Sequence, residues 1–371
     1  MTLFALVAKN LMRQPVRTAL TVLGISVGIT TVVALGVLVS GLKSTTGQIL
    51  RAYSADFLVA RKGAADLSLS TVTEREADEV ARRPDVDHTI RALMDITQVG
   101  DNPFFVTMGV RPQDLALAPP KLLDGTLLRV DAPDDILLGD GAAAALRAMV
   151  GDTVELQKRP FHVVGIYHIG NTYQDNGAMA PLAAVQEVSG KANTVTGIYV
   201  IAKEGIDPVQ VAQNIRDSSP LLTTVANISE VSRVDQGIVL MDALDLAITA
   251  LAVGIGAIGV MNTMVMSVFE RTREIGILRA VGWRGSRIMR MIVGESLILC
   301  LVATVAGSLL GVLASRAVLL IPAVRSVITP EYPVSVFVRA LAVAIVVALV
   351  GAAYPAIRAV RLQPMEALRH E

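Results

Sequence analysis

The chain has 371 residues, of which 53% are hydrophobic and only 18% are charged. Its 33 basic and 33 acidic residues balance, so the net charge gives no sign of a nucleic-acid partner. Cys300 is the only cysteine, which excludes an intramolecular disulfide. The apolar residues are concentrated in a few long runs, which predict a membrane protein rather than a water-soluble enzyme.

Residues 1–17 predict a short amphipathic helix on the cytoplasmic side of the membrane. Apolar residues recur there at helical spacing, and Lys9 and Arg13 fall at other positions. The apolar run that follows is too long for the core of a signal peptide and has no clear small-residue cleavage site. We therefore expect it to remain in the protein as a transmembrane helix.

Four spans are predicted from the runs that lie between charged segments: residues 18–42, 246–269, 291–315 and 334–357. Basic residues decide the orientation, because cytoplasmic loops are enriched in Lys and Arg. Residues 1–17, 270–290 and 358–371 hold 3, 6 and 3 basic residues. Both termini and the central loop are therefore expected in the cytoplasm. Residues 43–232 and the short loop 316–333 are expected outside.

Small and apolar residues predict contacts between helices. Two pairs of glycines four residues apart permit close helix approach, and leucines continue at helical spacing beyond the first span. These leucines and residues 233–245 predict an antiparallel stalk, although each helix could instead bury one face in the outer domain. The residues expected at dimer or helix-packing contacts are Gly24, Gly28, Leu35, Leu38, Leu42, Gly307 and Gly311.

The outer domain is predicted to mix helices and strands. Thr73 and Glu76 form a capping-box pattern at the start of a helix. Strands are predicted at residues 136–139, 153–156, 161–166 and 197–201, and helices at residues 77–82, 142–149, 182–188 and 208–217. The fold class is therefore an α-helical membrane protein with four transmembrane helices and a mixed α/β extracytoplasmic domain inserted between helices 1 and 2.

The central loop, residues 270–290, contains six Arg and two Glu between two uncharged runs. Ile275, Leu278 and Val281 recur at three-residue steps, which predicts an apolar stripe on a short helix. Gly282 is expected to end that helix. The alternative is a basic loop that only contacts anionic lipid.

Glu295 is the only acidic residue within a predicted span. An acid inside a membrane is often functional, for example in proton transfer. This one lies near the cytoplasmic N-terminus of its helix, where the helix dipole favours a carboxylate. We therefore expect a structural role.

Several kinds of chemistry are missing from the sequence. It contains no GxxxxGK[ST] phosphate-binding loop, no HExxH, no CxxC and no EF-hand pattern. His162 and His168 could face the same side of one strand, but two imidazoles with no neighbouring Cys are usually unligated. We expect no catalytic residue, no metal site and no cofactor on this chain.

Three segments resemble MacB-type, FtsX-like ABC transporter permeases. The first is at the N-terminus: Asn10, Leu11, Arg13, Arg17, Leu20, Thr21, Leu23, Gly24 and Ile25. The second is the central run Glu270, Arg271, Arg273, Glu274, Ile275, Gly276, Arg279, Ala280 and Gly282. The third closes the chain: Tyr354, Pro355, Ala356, Arg361, Pro364, Glu366, Ala367, Leu368 and Arg369. Trp283 departs from the pattern, since many relatives have a small residue there.

The resemblance implies that the central loop holds a coupling helix that docks on a partner ATPase. The implied ATPase-coupling residues are Arg273, Glu274, Ile275, Gly276, Leu278, Arg279 and Gly282. ATP and Mg²⁺ would bind to that ATPase, while two copies of the permease would form a homodimer in the bacterial inner membrane. Such machines export peptides, lipoproteins, lipids or drugs, in some cases with a periplasmic adaptor.

Two other functions are compatible with parts of the sequence. The family resemblance also includes FtsX-like signalling, in which the outer domain activates a cell-wall hydrolase. A membrane-anchored binding or sensory protein without an ATPase is the alternative of another class. A coupling-helix pattern argues against the sensor, because a sensor needs no ATPase-docking segment.

Overall fold

The computed structural model describes residues 15–50, 53, 55–64, 69–100, 102–226, 230, 236–325 and 328–361. The chain divides into two compact units. The membrane unit comprises residues 1–38, 243–317 and 332–371, and the outer unit comprises residues 39–242 and 318–331. The predicted helix within residues 1–13 and the closing motif from Pro364 to Arg369 lie outside the described residues.

The described helices are, in chain order, α1 (Pro15–Leu50), α2 (Glu74–Ala81), α3 (Pro112–Leu115), α4 (Asp140–Leu146), α5 (Thr172–Asp175), α6 (Leu182–Ser189), α7 (Pro208–Ser218), α8 (Gln236–Glu270), α9 (Thr272–Ala280), α10 (Gly285–Val318), α11 (Pro322–Arg325) and α12 (Val334–Arg361).

The described strands are β1 (Phe57–Arg61), β2 (Val72–Thr73), β3 (Val86–Val99), β4 (Asn102–Val110), β5 (Lys121–Gly125), β6 (Asp135–Gly139), β7 (Thr153–Leu156), β8 (Arg159–His168), β9 (Ala178–Pro181), β10 (Thr194–Val195), β11 (Gly197–Ala202) and β12 (Leu222–Val225).

Four helices, α1, α8, α10 and α12, are long and apolar enough to cross a membrane. They confirm the predicted set of four transmembrane helices. Each helix extends past its predicted span, because the spans were bounded by charged residues and a charge does not by itself end a helix. Asp245 illustrates this, since it lies inside α8 just before the predicted span 246–269 and accepts a hydrogen bond from Arg339 of α12.

The membrane unit is held together by small residues and hydroxyl groups. Ser26 Oγ of α1 donates to the Ala303 carbonyl of α10 at 3.1 Å, and Ser296 Oγ of α10 donates to the Ala348 carbonyl of α12 at 3.1 Å. Such bonds satisfy polar groups where no water is available. The helices therefore approach each other closely around one shared apolar core.

The outer unit is built on a ten-stranded mixed sheet. Nine strands follow the order β12-β1-β11-β3-β4-β9-β6-β8-β5, and β7 also pairs with β8. β4 pairs with β9 and β6 pairs with β8 in parallel, whereas the other pairs in this sheet are antiparallel. The predicted strands at residues 136–139, 153–156, 161–166 and 197–201 are confirmed.

Both faces of this sheet are covered. Phe57 and Val59 on β1 belong to one buried cluster, and Leu58 between them belongs to another. Helices α2, α4, α6 and α7 contribute to the first cluster. The predicted capping box is also confirmed: Glu76 N donates to Thr73 Oγ1 at 3.3 Å, and Thr73 N donates to Glu76 Oε2 at 2.8 Å.

The parts of α1 and α8 that belong to the outer unit contact each other. Lys43 Nζ lies 2.7 Å from both carboxylate oxygens of Asp242. This contact fits the stalk and also the alternative in which each helix buries one face in the outer domain, so the stalk stays a prediction. Residues 233–235 of the predicted stalk lie outside the described residues.

Candidate coupling site

The central loop folds into the short helix α9 between two long helices. Its C-terminus adopts a complete Schellman motif: the Trp283 N–H donates to the Leu278 carbonyl and the Gly282 N–H donates to the Arg279 carbonyl, both at 3.0 Å. Gly282 has φ of 94°, a left-handed conformation that favours glycine. The prediction that Gly282 ends the helix fits this geometry.

The structure corrects the expected orientation of the apolar stripe. Ile275 is only 2% exposed and belongs to the core of the membrane unit, so it cannot insert into a partner's groove. Gly276 is buried beside it, and Leu278 is partly buried. The exposed apolar side chains are Ile277 at 46% and Val281 at 76%. The three-residue spacing predicted the helix correctly. It could not predict which face of α9 is buried against the membrane helices of the same chain.

Some charged residues at α9 form ion pairs within the chain, and others are exposed. Arg271, immediately before the helix, donates to Glu274 at 3.3 Å and to Glu295 of α10 at 2.8 Å. Arg273 is exposed, while Arg279 is half-buried. The Arg271 contact gives Glu295 the structural role expected of it. Arg271 lies 24 residues from Glu295 along the chain, so local sequence does not reveal this partner.

A basic cavity follows the turn at Gly282. It has a volume of about 660 Å³ and is lined by Gly282, Trp283, Arg284, Ser286, Arg287 and Arg290. The Arg287 guanidinium lies 4.7 Å from the centre of the Trp283 ring, a cation–π contact. Sequence reasoning missed this cavity, although arginines at three-residue steps after a lone Trp were a usable signal.

The two predicted glycine pairs differ in what they contact. A Cβ on Gly307 would lie 2.7 Å from Ile29 Cβ, and a Cβ on Gly311 would lie 2.7 Å from Val33 Cβ. These glycines of α10 therefore allow close packing against α1 of the same chain. A Cβ on Gly28 would lie 3.4 Å from Ala252 of α8, whereas one on Gly24 would meet nothing within 4 Å.

The leucines predicted at helix contacts are partly covered. Leu35 and Leu38 in the membrane unit and Leu42 in the outer unit are all half-buried. The exposed apolar face of α1 lies nearer its N-terminus, at Leu20, Leu23 and Val27 beside the open Gly24. In the part of the chain that the structure describes, this face of α1 is exposed.

Two family models match the chain. Residues 18–218, more than half of the chain, match the MacB-like periplasmic core domain. Residues 246–364 match the FtsX-like permease C-terminal domain. The first match contains nearly all of the mixed sheet, and the second contains α9 and the three helices around it.

Curated relatives match almost the whole chain. The macrolide export ATP-binding/permease protein MacB of Nitrobacter winogradskyi is 27% identical over 98% of this chain and 59% of its own length. Its counterpart in Escherichia coli is 26% identical over 98% of this chain and 60% of its own length. The chain is also similar to the crystal structure of the periplasmic region of MacB from Actinobacillus actinomycetemcomitans. The alignment covers 48% of this chain and 91% of that structure, with 16% identity and a TM-score of 0.39. The chain spans about three-fifths of the length of the curated relatives it matches.

Proposed function

The chain belongs to the family of permeases that combine a MacB-like periplasmic core domain with an FtsX-like C-terminal domain, and from this we propose that it couples ATP hydrolysis by a separate ATPase to conformational change outside the membrane. The observation that carries the proposal is the exposed apolar surface of α9, a helix otherwise fastened to the membrane unit. The proposed cargo is a peptide, lipoprotein, lipid or drug. The relatives above are named for macrolide export.

The proposed docking surface, hereafter the α9 surface, consists of Arg273, Ile277, Leu278, Arg279 and Val281. Ile277 and Val281 are exposed apolar side chains in a loop, residues 270–290, that is rich in charged residues. Apolar anchors that become buried in an interface usually dominate its energy, while charges at the rim mainly orient the partner. The arginines favour an acidic rim on the ATPase.

Force applied at the α9 surface has a path into the membrane helices. Ile275 packs in the membrane core, Arg271 joins the start of α9 to α10 through Glu295, and the Schellman motif fixes its end. Interactions at both ends make α9 move with the membrane helices rather than as a loose loop. The seven residues from Arg273 to Gly282 expected to couple therefore have two roles: Ile275, Gly276 and Gly282 anchor the helix, and the others face outward or lie at its edge.

The given sequence has no phosphate-binding loop, and the ATPase is proposed as a separate chain on the family resemblance. ATP and Mg²⁺ would bind there, and this chain would bind no cofactor in the cycle. Two ATPases must face each other to close, so two permease copies are proposed. The face at Leu20, Leu23, Gly24 and Val27 is the proposed contact between them, and a periplasmic adaptor is a further proposed partner.

The proposed topology follows the charge distribution. Residues 1–17, the coupling loop 270–290 and the tail 358–371 would be cytoplasmic. The outer domain, residues 43–232, would lie outside the inner membrane, and the stalk would continue from it into the second transmembrane helix within residues 233–269. The remaining membrane helices would occupy residues 18–42, 291–315 and 334–357, with residues 316–333 outside.

Leu278→Asp tests this function in a complex reconstituted with the ATPase that co-purifies with the chain. A charge at the centre of the α9 surface is expected to abolish the permease-dependent part of ATP hydrolysis, while membrane insertion and thermal stability are retained. Arg279→Ala should have a milder effect. Leu123→Asp, at an exposed leucine of β5, is the matched control and should leave hydrolysis unchanged. Full stimulation by Leu278→Asp would refute the proposal.

A further inference from the structure

Three side chains of the outer unit converge on one point: Asp140, His168 and Asp175. His168 Nδ1 lies 3.0 Å from Asp140 Oδ2 and 3.3 Å from Asp175 Oδ2. One potential ligand atom from each residue lies within 4.8 Å of the other two. The nitrogen therefore faces two carboxylates from different parts of the chain.

The sheet topology explains how the first two residues meet. β6 and β8 are parallel neighbours, and Gly139 at the end of β6 pairs with Tyr167 near the end of β8. Asp140 is the first residue of α4, directly after β6, and His168 is the last residue of β8. Parallel strands end at the same edge of a sheet, so both side chains lie at one edge. Residues 171–177 then bring Asp175 to the same edge.

Close backbone packing holds Asp175 in place. Gly139 N donates to the Gly177 carbonyl at 2.9 Å, and Tyr167 Oη donates to the Gln174 carbonyl at 2.8 Å. A Cβ on Gly139 would lie 2.3 Å from the Asp175 carbonyl oxygen, and one on Gly141 would lie 2.4 Å from Asn176 Oδ1. The two glycines that flank Asp140 therefore allow the approach that assembles the cluster.

Backbone groups orient both carboxylates. Asp175 accepts hydrogen bonds from the N–H groups of Ile169 at 2.8 Å and Gly170 at 3.0 Å. Asp140 Oδ1 accepts from the Gly141 N–H at 2.9 Å. Each carboxylate therefore directs its Oδ2 toward the imidazole. Ligands held in this way are pre-organised for a metal, because the supporting hydrogen bonds fix their orientation.

The cluster also differs from other acids of the outer unit in its charge balance. Asp135 is paired with Arg129, Asp134 with Arg159 and Asp114 with Arg111. Among the described residues, the ion pairs of Asp140 and Asp175 are with His168 alone. With a neutral imidazole the cluster carries two negative charges and no fixed cation. A divalent ion would neutralise both.

We propose that Asp140, His168 and Asp175 bind one Zn²⁺ ion, through one carboxylate oxygen of each aspartate and Nδ1 of the histidine. The N···O separations of 3.0 and 3.3 Å lie near the ligand–ligand separation of about 3.3 Å in a tetrahedral site with bonds of roughly 2.0–2.1 Å. An imidazole suits zinc, whereas Mg²⁺ and Ca²⁺ prefer six or more oxygens. The side chains of Asp140 and His168 are 40% and 44% exposed, which leaves a fourth position for water.

Zinc binding would cross-link the ends of β6 and β8 with α5. These elements are distant in sequence, so one ion would join three segments of the outer unit. The assignment is independent of ATPase coupling, because it rests only on the outer unit's own residues.

The experiment uses the full chain, purified in detergent and stripped of metal with a chelator. Calorimetric titration with ZnCl₂ should show one ion per chain, and Co²⁺ should give the intense visible absorption of a near-tetrahedral site. Added Zn²⁺ should also raise the thermal midpoint, because it binds the folded chain. Asp140→Asn and His168→Gln should each weaken Zn²⁺ binding by more than about tenfold.

A matched control is the His88–Asp87 pair, whose Nδ1–Oδ2 distance is 2.8 Å. It has a similar contact but is not part of a three-ligand group among the described residues. His88→Gln should leave Zn²⁺ affinity unchanged. Because Asp175 also accepts two backbone hydrogen bonds, Asp140→Asn is the deciding variant, with folding checked by circular dichroism. Failure of the wild type to bind Zn²⁺, equal binding by Asp140→Asn, or tighter binding of Mg²⁺ or Ca²⁺ than Zn²⁺ would overturn the assignment.

Discussion

Arg271 and Glu295 form a largely buried ion pair, with Nη1 of the arginine 2.8 Å from Oε1 of the glutamate. The side chains are 15% and 4% exposed. Arg271 immediately precedes α9, and Glu295 lies within α10. One interaction therefore satisfies an acid inside a membrane helix and fixes the start of the coupling helix.

Arg271→Ala is expected to destabilise the membrane unit. Removing the arginine takes a charged partner away from a largely buried carboxylate, and breaking a buried pair in this way costs up to about 3–5 kcal/mol. The thermal midpoint in detergent should fall accordingly. Arg75→Ala is the control, because Arg75 and Glu79 form an exposed pair worth less than about 1 kcal/mol. An equal, small effect of both changes would show that the Arg271 contact contributes little.

The two sides of α9 should respond differently to an introduced charge. Ile275→Asp places a carboxylate in the membrane core and should lower the thermal midpoint and the yield of folded protein. Val281→Asp changes a side chain that is 76% exposed, so it should preserve stability and reduce permease-dependent ATP hydrolysis. Stability is measured by thermal unfolding and coupling by ATPase assay of the complex. A stable Ile275→Asp variant would contradict the assigned orientation of α9.

Gly307→Ala should destabilise the chain by about 1–3 kcal/mol, the usual cost of overpacking. Its new methyl group would lie 2.7 Å from Ile29 Cβ and 2.8 Å from the Ser26 carbonyl oxygen. Gly24→Ala is the matched control, because nothing lies within 4 Å of its Cβ position. The measurement is the thermal unfolding midpoint of each variant. A loss of stability for Gly24→Ala alone would reverse the assignment of internal and external glycines.

The outer unit is expected to lose stability in acid through Glu76. Arg61 donates two hydrogen bonds to this carboxylate, at 2.8 and 2.7 Å. Burial raises the pKa of Glu76, but hydrogen bonds from Arg61 and Thr73 outweigh that effect and lower the pKa below its ordinary value of 4.5. The unfolded chain therefore takes up a proton at higher pH than the folded chain does. The stabilisation is present above the unfolded value and is lost as the pH falls through the folded value.

Glu76→Gln should accordingly lower the thermal midpoint near neutral pH, and its difference from wild type should shrink in strong acid. Glu79→Gln, on the same helix in an exposed pair with Arg75, is the control and should have little effect at either pH. A difference between Glu76→Gln and wild type that stayed constant with pH would exclude ionisation as its cause.

Cysteine labelling of intact cells tests the orientation. The native Cys300 is buried, so a reagent that cannot cross the membrane should leave it unmodified. Glu204→Cys places a thiol at an exposed turn of the outer unit and should be labelled from outside. Arg284→Cys, also exposed, should react only after permeabilisation. Labelling of Arg284→Cys in intact cells would invert the proposed topology.

The membrane helices could be predicted from sequence because a long uncharged run of apolar residues is suited to the interior of a membrane. The outer fold was less predictable. The long hairpin of β3 and β4 escaped prediction because β3 is buried continuously from Thr89 to Asp95, which removes the alternation that marks a strand exposed on one face. Arg91 and Asp95, buried within it, further obscured the pattern.

Candidate-site residues were predictable by position but not by exposure. Spacing placed α9 and its glycine terminator correctly, yet whether Ile275 or Ile277 faces outward depends on how α8 and α10 pack around the helix. The Asp140, His168 and Asp175 cluster was harder still. Only the parallel pairing of β6 with β8 places Asp140 beside His168. Local sequence patterns do not predict which strands pair.

The mixed sheet has a further consequence for the protein at high local concentration. Because its two faces are covered, strand addition by another molecule is restricted to its edges, and β5 forms part of one of them. Lys121 and Asp124 place opposite charges on that strand, and the register with β8 shifts between Leu122 and Asp124. Charges and irregular pairing at an edge discourage the growth of intermolecular sheets. The β5 edge of the outer unit is therefore a poor template for strand addition by a second copy.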